Sequence, residues 1–446
     1  MTAFDQIKTI VIVMMENRSF DHVLGHLRMP EYGNRKDVEG LDDPTDNPKY
    51  VNFLSAQGYA PFPMKDQILP HDLPHGRDFV KTQLAESNGT LTMSGFVKAY
   101  KEFTGSVVNE PPPMGFLAPQ DVPISSFFAE QYTVCDHWFS PLPADTQPNR
   151  SVAFSGYSLI EDTKGRPIPV PPESFIFEWL TRHKVSWRVY HSGLSFFMLF
   201  QSFKLPYWSN FSNIRDLAGH IASPDQMPQV IFIEPEYGDS PVHSGPINDN
   251  HPPTQMGPGE HFLREMYATL SKLPEKWNQT LMIVTYDEHG GFFDHVPPPK
   301  LRTPAPLGAL FSQPFESMGP RVPAMLVSPF MKKGGVFNGM MDHTSILQFL
   351  AEKFTPGKDY NDEVKRRREF GIQSVSAALR TNPDTPRSDT PLAPADQLEG
   401  AVLTPPATEI QPGNQEAFAV AARQLLAQDR ICALQKFPEL LHLPDK

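Results

Sequence analysis

TIVIVMM at Thr9–Met15 runs straight into Glu16-Asn17, and TLMIVTY at Thr280–Tyr286 runs straight into Asp287-Glu288. Apolar runs of this length, unbroken and rich in strand-forming residues, read as strands with both faces buried. In an open parallel sheet, sites form where strands deliver their carboxyl ends. Two oxygen-rich corners roughly 270 residues apart can therefore meet at one sheet edge and share one cation.

Outward from these runs the same pattern recurs. SWRVY at Ser186–Tyr190 leads to His191, VIFI at Val230–Ile233 to Glu234, and VPAMLV at Val322–Val327 to Ser328-Pro329. Helical stripes lie between them. Phe20, Val23, Leu24 and Leu27 follow the first strand; Phe262, Met266, Leu270 and Leu273 precede the Leu281 run; Ile346, Leu347, Phe349, Leu350 and Phe354 follow Asp342 or Thr344 as a candidate cap. The alternation predicts an α/β fold with a mostly parallel central sheet. Residues 31–70 and 237–258 read as loops, and about 381–412, rich in Pro, Thr, Asp and Ala, as an irregular strap. A last helix over 415–427 and an apolar tail are expected to pack back on the core. The division expected is a catalytic domain over 1–370 and a C-terminal extension over 371–446.

Composition narrows the function. At 446 residues, 39% hydrophobic and with 32 Phe, the chain buries a large core and is not a disordered protein. Its 48 Pro are about twice the usual frequency, which implies long ordered loops of the kind that carry sites. A net charge of -12 argues against a nucleic-acid partner, because phosphate-backbone affinity needs a positive surface. Cys135 and Cys432 allow one disulfide at most and no thiolate metal cluster. The N-terminus has no signal-peptide pattern and no stretch is long enough to span a membrane, so the expected location is cytoplasmic, or exported by a non-standard route.

Glu16, Asn17, Asp287 and Glu288 offer three carboxylates and an amide oxygen, a set suited to a hard cation such as Ca²⁺, Mg²⁺ or Mn²⁺. The plain alternative is that acids after strands cap helices. Asp145-Thr146-Gln147-Pro148-Asn149-Arg150 has the form of a helix start, where the Thr146 hydroxyl is either a cap or a nucleophile facing a phosphate at the helix N-terminus. His75, His191 and His251 lie in polar, Pro-rich or strand-end settings that suit phosphoryl contacts or proton transfer as well as structural roles. Phe62, Phe103, Phe196 and Phe197 are either core packing or the wall of an acyl or head-group pocket.

Five motifs in order carry a resemblance: ENRSFDH at Glu16–His22, TQPNR at Thr146–Arg150, Asn-His-Pro-Pro at 250–253, DEHGGFFDHVPPP at Asp287–Pro299 and GPRVPAMLVSP at Gly319–Pro329. Over roughly residues 5–355 the chain resembles the phosphoesterase family of bacterial and plant non-specific phospholipases C and AcpA-type acid phosphatases. The resemblance implies an alkaline-phosphatase-like three-layer α/β/α core and one divalent metal held by Glu16, Asn17, Thr146, Asp287 and Glu288. It also implies Thr146 as nucleophile, His75, His191 and His251 as phosphoryl contacts, and His251 or His191 as the leaving-group acid. Asp294, His295 and His343 match family positions for which a supporting role is expected. Threonine at the nucleophile position points to a phospholipase C that releases diacylglycerol and a phosphorylated head group, with a membrane surface as peripheral partner. The alternatives are an acid phosphatase acting on monoesters and a non-catalytic binder of phosphorylated head groups.

Overall fold

The two apolar runs are neighbours in one eight-stranded sheet. In the computed structural model, which describes residues 1–44, 47–225, 227–395 and 412–444, its strands are β1 (Thr9–Met15), β2 (Thr133–Cys135), β3 (Trp187–His191), β4 (Phe211–Asn213), β5 (Val230–Glu234), β6 (Thr280–Tyr286), β7 (Ala324–Val327) and β8 (Gly335–Phe337). Their spatial order is β4-β3-β5-β1-β6-β7-β2-β8. All neighbours are parallel except β7, which is antiparallel to both β6 and β2. A parallel return requires a long crossover, usually helical. The described chain between β6 and β7 holds no helix, so β7 comes back beside β6 in the opposite sense and begins at the edge where β1 and β6 end.

All seven residues of β1 and of β6 are buried, so both faces of the sheet centre are covered and the architecture is a three-layer α/β/α sandwich. Its principal helices are α1 (Phe20–Leu24), α2 (Pro123–Gln131), α3 (Thr146–Ser155), α4 (Gly257–Leu270), α5 (Thr344–Phe354), α6 (Pro412–Gln428) and α7 (Arg430–Lys436). α2 packs with α4, and α3 with α5. The stripe expected through Leu27 divides, with α1 ending at Leu24 and a 3₁₀ turn continuing over Gly25–Arg28. Of the two candidate caps for α5, Asp342 supplies the oxygen, accepting from the Thr344 backbone N–H at 2.7 Å and from its hydroxyl at 2.5 Å.

α6 returns to the sheet centre, where Phe418 meets the rings of Phe196 at 6.0 Å and Tyr237 at 5.8 Å. Of the strap, residues 396–411 lie outside the described residues, and the part before them is tied down by the Tyr267 hydroxyl donating to the Pro391 carbonyl at 2.6 Å. Phe196 and Phe197 are core residues, whereas Phe103 is exposed. Cys135 is buried in β2 and Cys432 lies on α7; both are free thiols. Among the described residues no helix is long and apolar enough to cross a membrane.

One buried carboxylate joins two of these helices. Val122 begins α2 without a side-chain oxygen to cap it, and Glu260 on α4 accepts from the Ile124 and Ser125 backbone N–H groups at 2.6 and 2.9 Å and from the Ser125 hydroxyl at 2.5 Å. Burial lifts its pKa to about 7 against the pull of these donors. Replacing Glu260 by Ala strands three buried donors, at about 1–3 kcal/mol for each group left unpaired. The expected outcome is a clear fall in melting temperature by calorimetry, with Glu260→Gln falling less because its amide oxygen still accepts.

Candidate active site

The register of the central strands brings the two acidic dipeptides together. Met15 pairs with Tyr286, and the Asp287 N–H continues the ladder by donating to the Met15 carbonyl at 3.1 Å. Beyond β1 the backbone turns through Asn17 at φ 60°, a left-handed conformation that Asn tolerates better than most residues. Gly290 matches it from the β6 side: at φ 62°, any Cβ there would collide with the Asn17 carbonyl.

α3 directs its N-terminus into this corner. Asp145 precedes it, yet its carboxylate turns away to accept from the Thr163 N–H at 2.9 Å, and it is the Thr163 hydroxyl that takes a first-turn donor, accepting from the Gln147 N–H at 3.3 Å. The Thr146 hydroxyl, fully buried, donates to Asn17 Oδ1 at 3.3 Å. One turn on, Arg150 presents its guanidinium to Glu16 Oε1 at 3.0 Å, Asp287 Oδ2 at 2.9 Å and the Tyr237 hydroxyl at 3.1 Å. The i, i+4 spacing puts the hydroxyl and the cation on one face of the helix. Burial opposes charge on Arg150, but Tyr237, Asp287 and Glu16 outweigh it and hold the guanidinium ionised. Its central carbon stands over the rings of Phe196 and Tyr237, 4.5 and 5.2 Å from their centroids, within cation–π range.

Asp287 meets three donors. Its Oδ1 accepts from the backbone N–H groups of Asn17 at 3.1 Å and Glu288 at 2.7 Å, while Oδ2 faces Arg150. His343 holds the backbone beneath it: the Trp138 indole N–H donates to Nδ1 at 3.0 Å, which fixes the proton on Nε2, and Nε2 donates to the Asp287 carbonyl at 2.7 Å. Glu288 accepts from the Gly290 N–H on one oxygen, and its other oxygen is buried without a partner, 3.9 Å from His75 Nε2.

His75 donates from Nδ1 to the Leu73 carbonyl at 2.6 Å, so its Nε2 is proton-free and faces the Asn17 amide at 3.3 Å. His251 donates from Nδ1 to the Pro252 carbonyl, which leaves a proton-free, partnerless Nε2. The two rings meet edge to face at 5.9 Å. Burial drives both rings neutral, to about 4 for His75 and about 3 for His251. His191 stands elsewhere on the edge: it ends β3, donates from Nδ1 to the Gly193 carbonyl at 2.9 Å and packs on Phe437 at 4.5 Å. Among the described residues, no hydrogen bond or ring contact joins it to Thr146, His75 or His251.

The oxygen set read from the sequence divides in two. Asn17 Oδ1, the Thr146 hydroxyl and the partnerless Glu288 oxygen stand with Asp287 around the α3 N-terminus, a donor set that fits a hard cation. Glu16 turns partly away, one oxygen on Arg150 and the other without a partner. The His, Asp and Glu groups whose ligand atoms converge within 4.8 Å, among the described residues, are Asp72–His75–His251, Glu16–Asp239–His251 and Asp21–Asp294–His295.

Residues 7–355 match the profile of the phosphoesterase family. The chain belongs to that family. It is 30% identical over 433 residues to the non-specific phospholipase C3 of Arabidopsis thaliana, covering 92% of this chain and 79% of the plant protein. With the non-specific phospholipase C1 of the same plant the identity is 29% over 405 residues, at 86% and 73% coverage, and with the non-hemolytic phospholipase C of Burkholderia pseudomallei it is 28% over 485 residues, at 94% and 66%. Solved structures overlap it more loosely. The phosphonate monoester hydrolase of Agrobacterium radiobacter is 10% identical at a TM-score of 0.34, covering 59% of this chain and 73% of that one. A protein in the alkaline phosphatase superfamily from Vibrio parahaemolyticus is 11% identical at 0.32, covering 85% and 93%.

The phosphoesterase is thus a hydrolase of phosphoric ester bonds, and some of its site is invisible to motif reading. Arg150 closes the TQPNR motif, and its spacing from Thr146 was the available signal. Asp239 and Asp249 lie in the loop after β5, and the strand-end rule applied to Glu234 reaches Asp239 when carried five residues further but not Asp249. Asp21, Asp294 and His295 form a structural clamp. His295 donates from Nδ1 to Asp21 at 2.7 Å and from Nε2 to Glu39 at 3.1 Å, while Arg321 binds Asp21 and Asp294 at 3.0 and 2.9 Å.

Removing Arg150 leaves Glu16 and Asp287 buried without their cation, and breaking one side of a buried ion pair costs about 3–5 kcal/mol. Arg150→Met is expected to lower the melting temperature sharply, and Arg150→Lys to recover only part of the loss, because an ammonium lacks the planar fork. The His295 clamp makes a pH-dependent contribution. Burial opposes its charge, but Asp21 and the hydrogen bonds to Asp21 and Glu39 raise its pKa above 6.5. A histidine raised on folding stabilises fully below its unfolded pKa, about 6.5, and that contribution is lost as pH rises through the folded value. The deficit of His295→Gln in thermal melts is therefore expected to be greatest at pH 6 and to shrink as the medium becomes alkaline.

Proposed function

We propose that this phosphoesterase is a phospholipase C that cleaves a glycerophospholipid into diacylglycerol and a phosphorylated head group through a phospho-threonine. The observation that carries the reading is the placement of Thr146: a buried hydroxyl at the N-terminus of α3, hydrogen-bonded to Asn17 and one turn from an ionised arginine. The positive end of a helix dipole favours a phosphoryl anion. Threonine in this motif and the similarity to proteins named as phospholipases C favour the diester over the monoester.

In this scheme Thr146 Oγ1 bonds to phosphorus as the bond from phosphorus to the glycerol oxygen breaks. The hydroxyl proton passes to a proton-free Nε2 of the His75–His251 pair, which returns it to the departing oxygen. Water then cleaves the phosphorus–Oγ1 bond and releases the phosphorylated head group. A divalent cation held by Glu16, Asn17, Thr146, Asp287 and Glu288 would supply a lowered hydroxyl pKa and charge compensation on the non-bridging oxygens. Arg150 keeps Glu16 and Asp287 oriented throughout, and water is excluded because every one of these side chains is buried. No part is required of His191.

Thr146→Ala is expected to lose hydrolysis by roughly 10⁴-fold or more, the scale seen when a covalent nucleophile is removed. Wild type is expected to release nitrophenol faster from p-nitrophenyl phosphorylcholine than from p-nitrophenyl phosphate. Full activity in a clean Thr146→Ala preparation excludes the nucleophile assignment. A higher kcat/KM on the monoester makes the protein an acid phosphatase instead, and binding of phosphocholine with no hydrolysis of any ester makes it a head-group binder.

A further inference from the structure

Glu16, Asp239 and His251 converge without partners in the interior. One carboxylate oxygen of each acid and a ring nitrogen of His251 lie within 4.8 Å of one another, and all three residues are at least 95% buried. Glu16 Oε2, both oxygens of Asp239 and His251 Nε2 have no hydrogen-bond partner. The nearest guanidinium, Arg150, is committed to Glu16 Oε1, Asp287 and Tyr237. A buried carboxylate left unpaired is among the costliest arrangements in a protein.

The surrounding chain holds these three groups in place. Asp249 accepts from the Gly238 N–H at 2.6 Å and from the His251 N–H at 3.0 Å, and its own carbonyl accepts from the Glu16 N–H at 2.9 Å. One residue thus ties the backbone next to Asp239, that of His251 and that of Glu16 to a common point. The His251 ring is oriented by its Nδ1–H bond to the Pro252 carbonyl, the contact that metal-ligating histidines typically make through their second nitrogen. On α6, Asn414 lies close enough to Asp239 to draw its carboxyl down, though burial dominates and lifts it to about 8.

We propose that Glu16, Asp239 and His251 form a second divalent-cation site, distinct from the all-oxygen set around Thr146. Two carboxylates with one imidazole suit Mn²⁺ or Zn²⁺, whereas the first set suits a hard oxygen-seeking ion. The cation supplies the positive charge that Arg150 alone does not. Glu16 links the two sites, and occupation commits His251 to the metal, leaving His75 as the proton carrier of the pair. The proposal rests on these ligands and not on the identity of the ester.

The test uses full-length protein stripped with EDTA and titrated with Mn²⁺, free ion being counted by electron paramagnetic resonance. Two equivalents are expected for wild type and one for Asp239→Asn or His251→Gln; Glu288→Gln should keep the equivalent that those two lose. Electron spin-echo spectra of the fully loaded protein are expected to show ¹⁴N coupling from an imidazole that is lost in His251→Gln and kept in His75→Gln, whose ring faces the other site at Asn17 and Glu288. Thermal melts in EDTA verify that each variant is folded. A single equivalent without nitrogen coupling overturns the proposal, as does a second equivalent indifferent to Asp239→Asn. These readouts do not involve turnover, so an inactive protein that still binds two ions would reject the hydrolytic scheme and leave the site standing.

Discussion

The pairing of β1 with β6 sets the position of everything chemical in this protein. Both strands are buried on both faces, so a slip of one residue would exchange their two faces and misplace the whole set of side chains. With Met15 opposite Tyr286, the two chains leave the sheet side by side, and each meets its turn at the same level. The left-handed Asn17 and the Cβ-free Gly290 pack into one another there. The Asn17 amide is consequently delivered to the Thr146 hydroxyl by backbone geometry rather than by a flexible side chain reaching across a cleft.

Charge is the second constraint. The site edge buries Glu16, Asp239, Asp249 and Asp287 against one guanidinium. Asp287 and Asp249 are satisfied by backbone N–H groups, and Asp287 also by Arg150. Burial raises the pKa of Glu16 and Asp239, and the neighbouring carboxylates raise it further. Phe196 and Tyr237 enclose Arg150, and Phe418 from α6 backs both rings. The C-terminal extension is thereby mechanically coupled to the centre of the site, even though it lies beyond the 7–355 span that matches the family.

Much of the architecture was legible from local pattern. The seven-residue apolar runs, the stripe at α5 and the helix start at Thr146 all appear within a residue or two of their expected places, and the stripe at α4 does so except for Leu273, three residues past the helix end, because burial on both faces and 3.6-residue periodicity leave direct marks on composition. The antiparallel sense of β7 left no such mark, since strand direction depends on the connection and not on the strand. The site was legible where it follows a strand end or a motif. Asp249 and Asp239 were not assigned their places, and His343 only a supporting role without its partners, because His343 acts through Trp138 and Asp287, Asp249 through the backbone of Glu16 and Gly238, and Asp239 through atoms left unpaired, and none of these properties is local.

By itself the sequence determined that this is an α/β protein with oxygen-bearing side chains at strand ends, a hydroxyl at a helix start and the motifs of a phosphoesterase, because these depend on residue type and short-range spacing. Only the tertiary structure decided how these side chains are partitioned. It gave Glu16 to Arg150 and to the Asp239–His251 corner, left Asn17 and Glu288 with Thr146, and set His191 apart against Phe437. The reason is physical: which buried charges neutralise one another depends on distances of a few ångströms between segments far apart in the chain, and those distances exist only once the strands have registered.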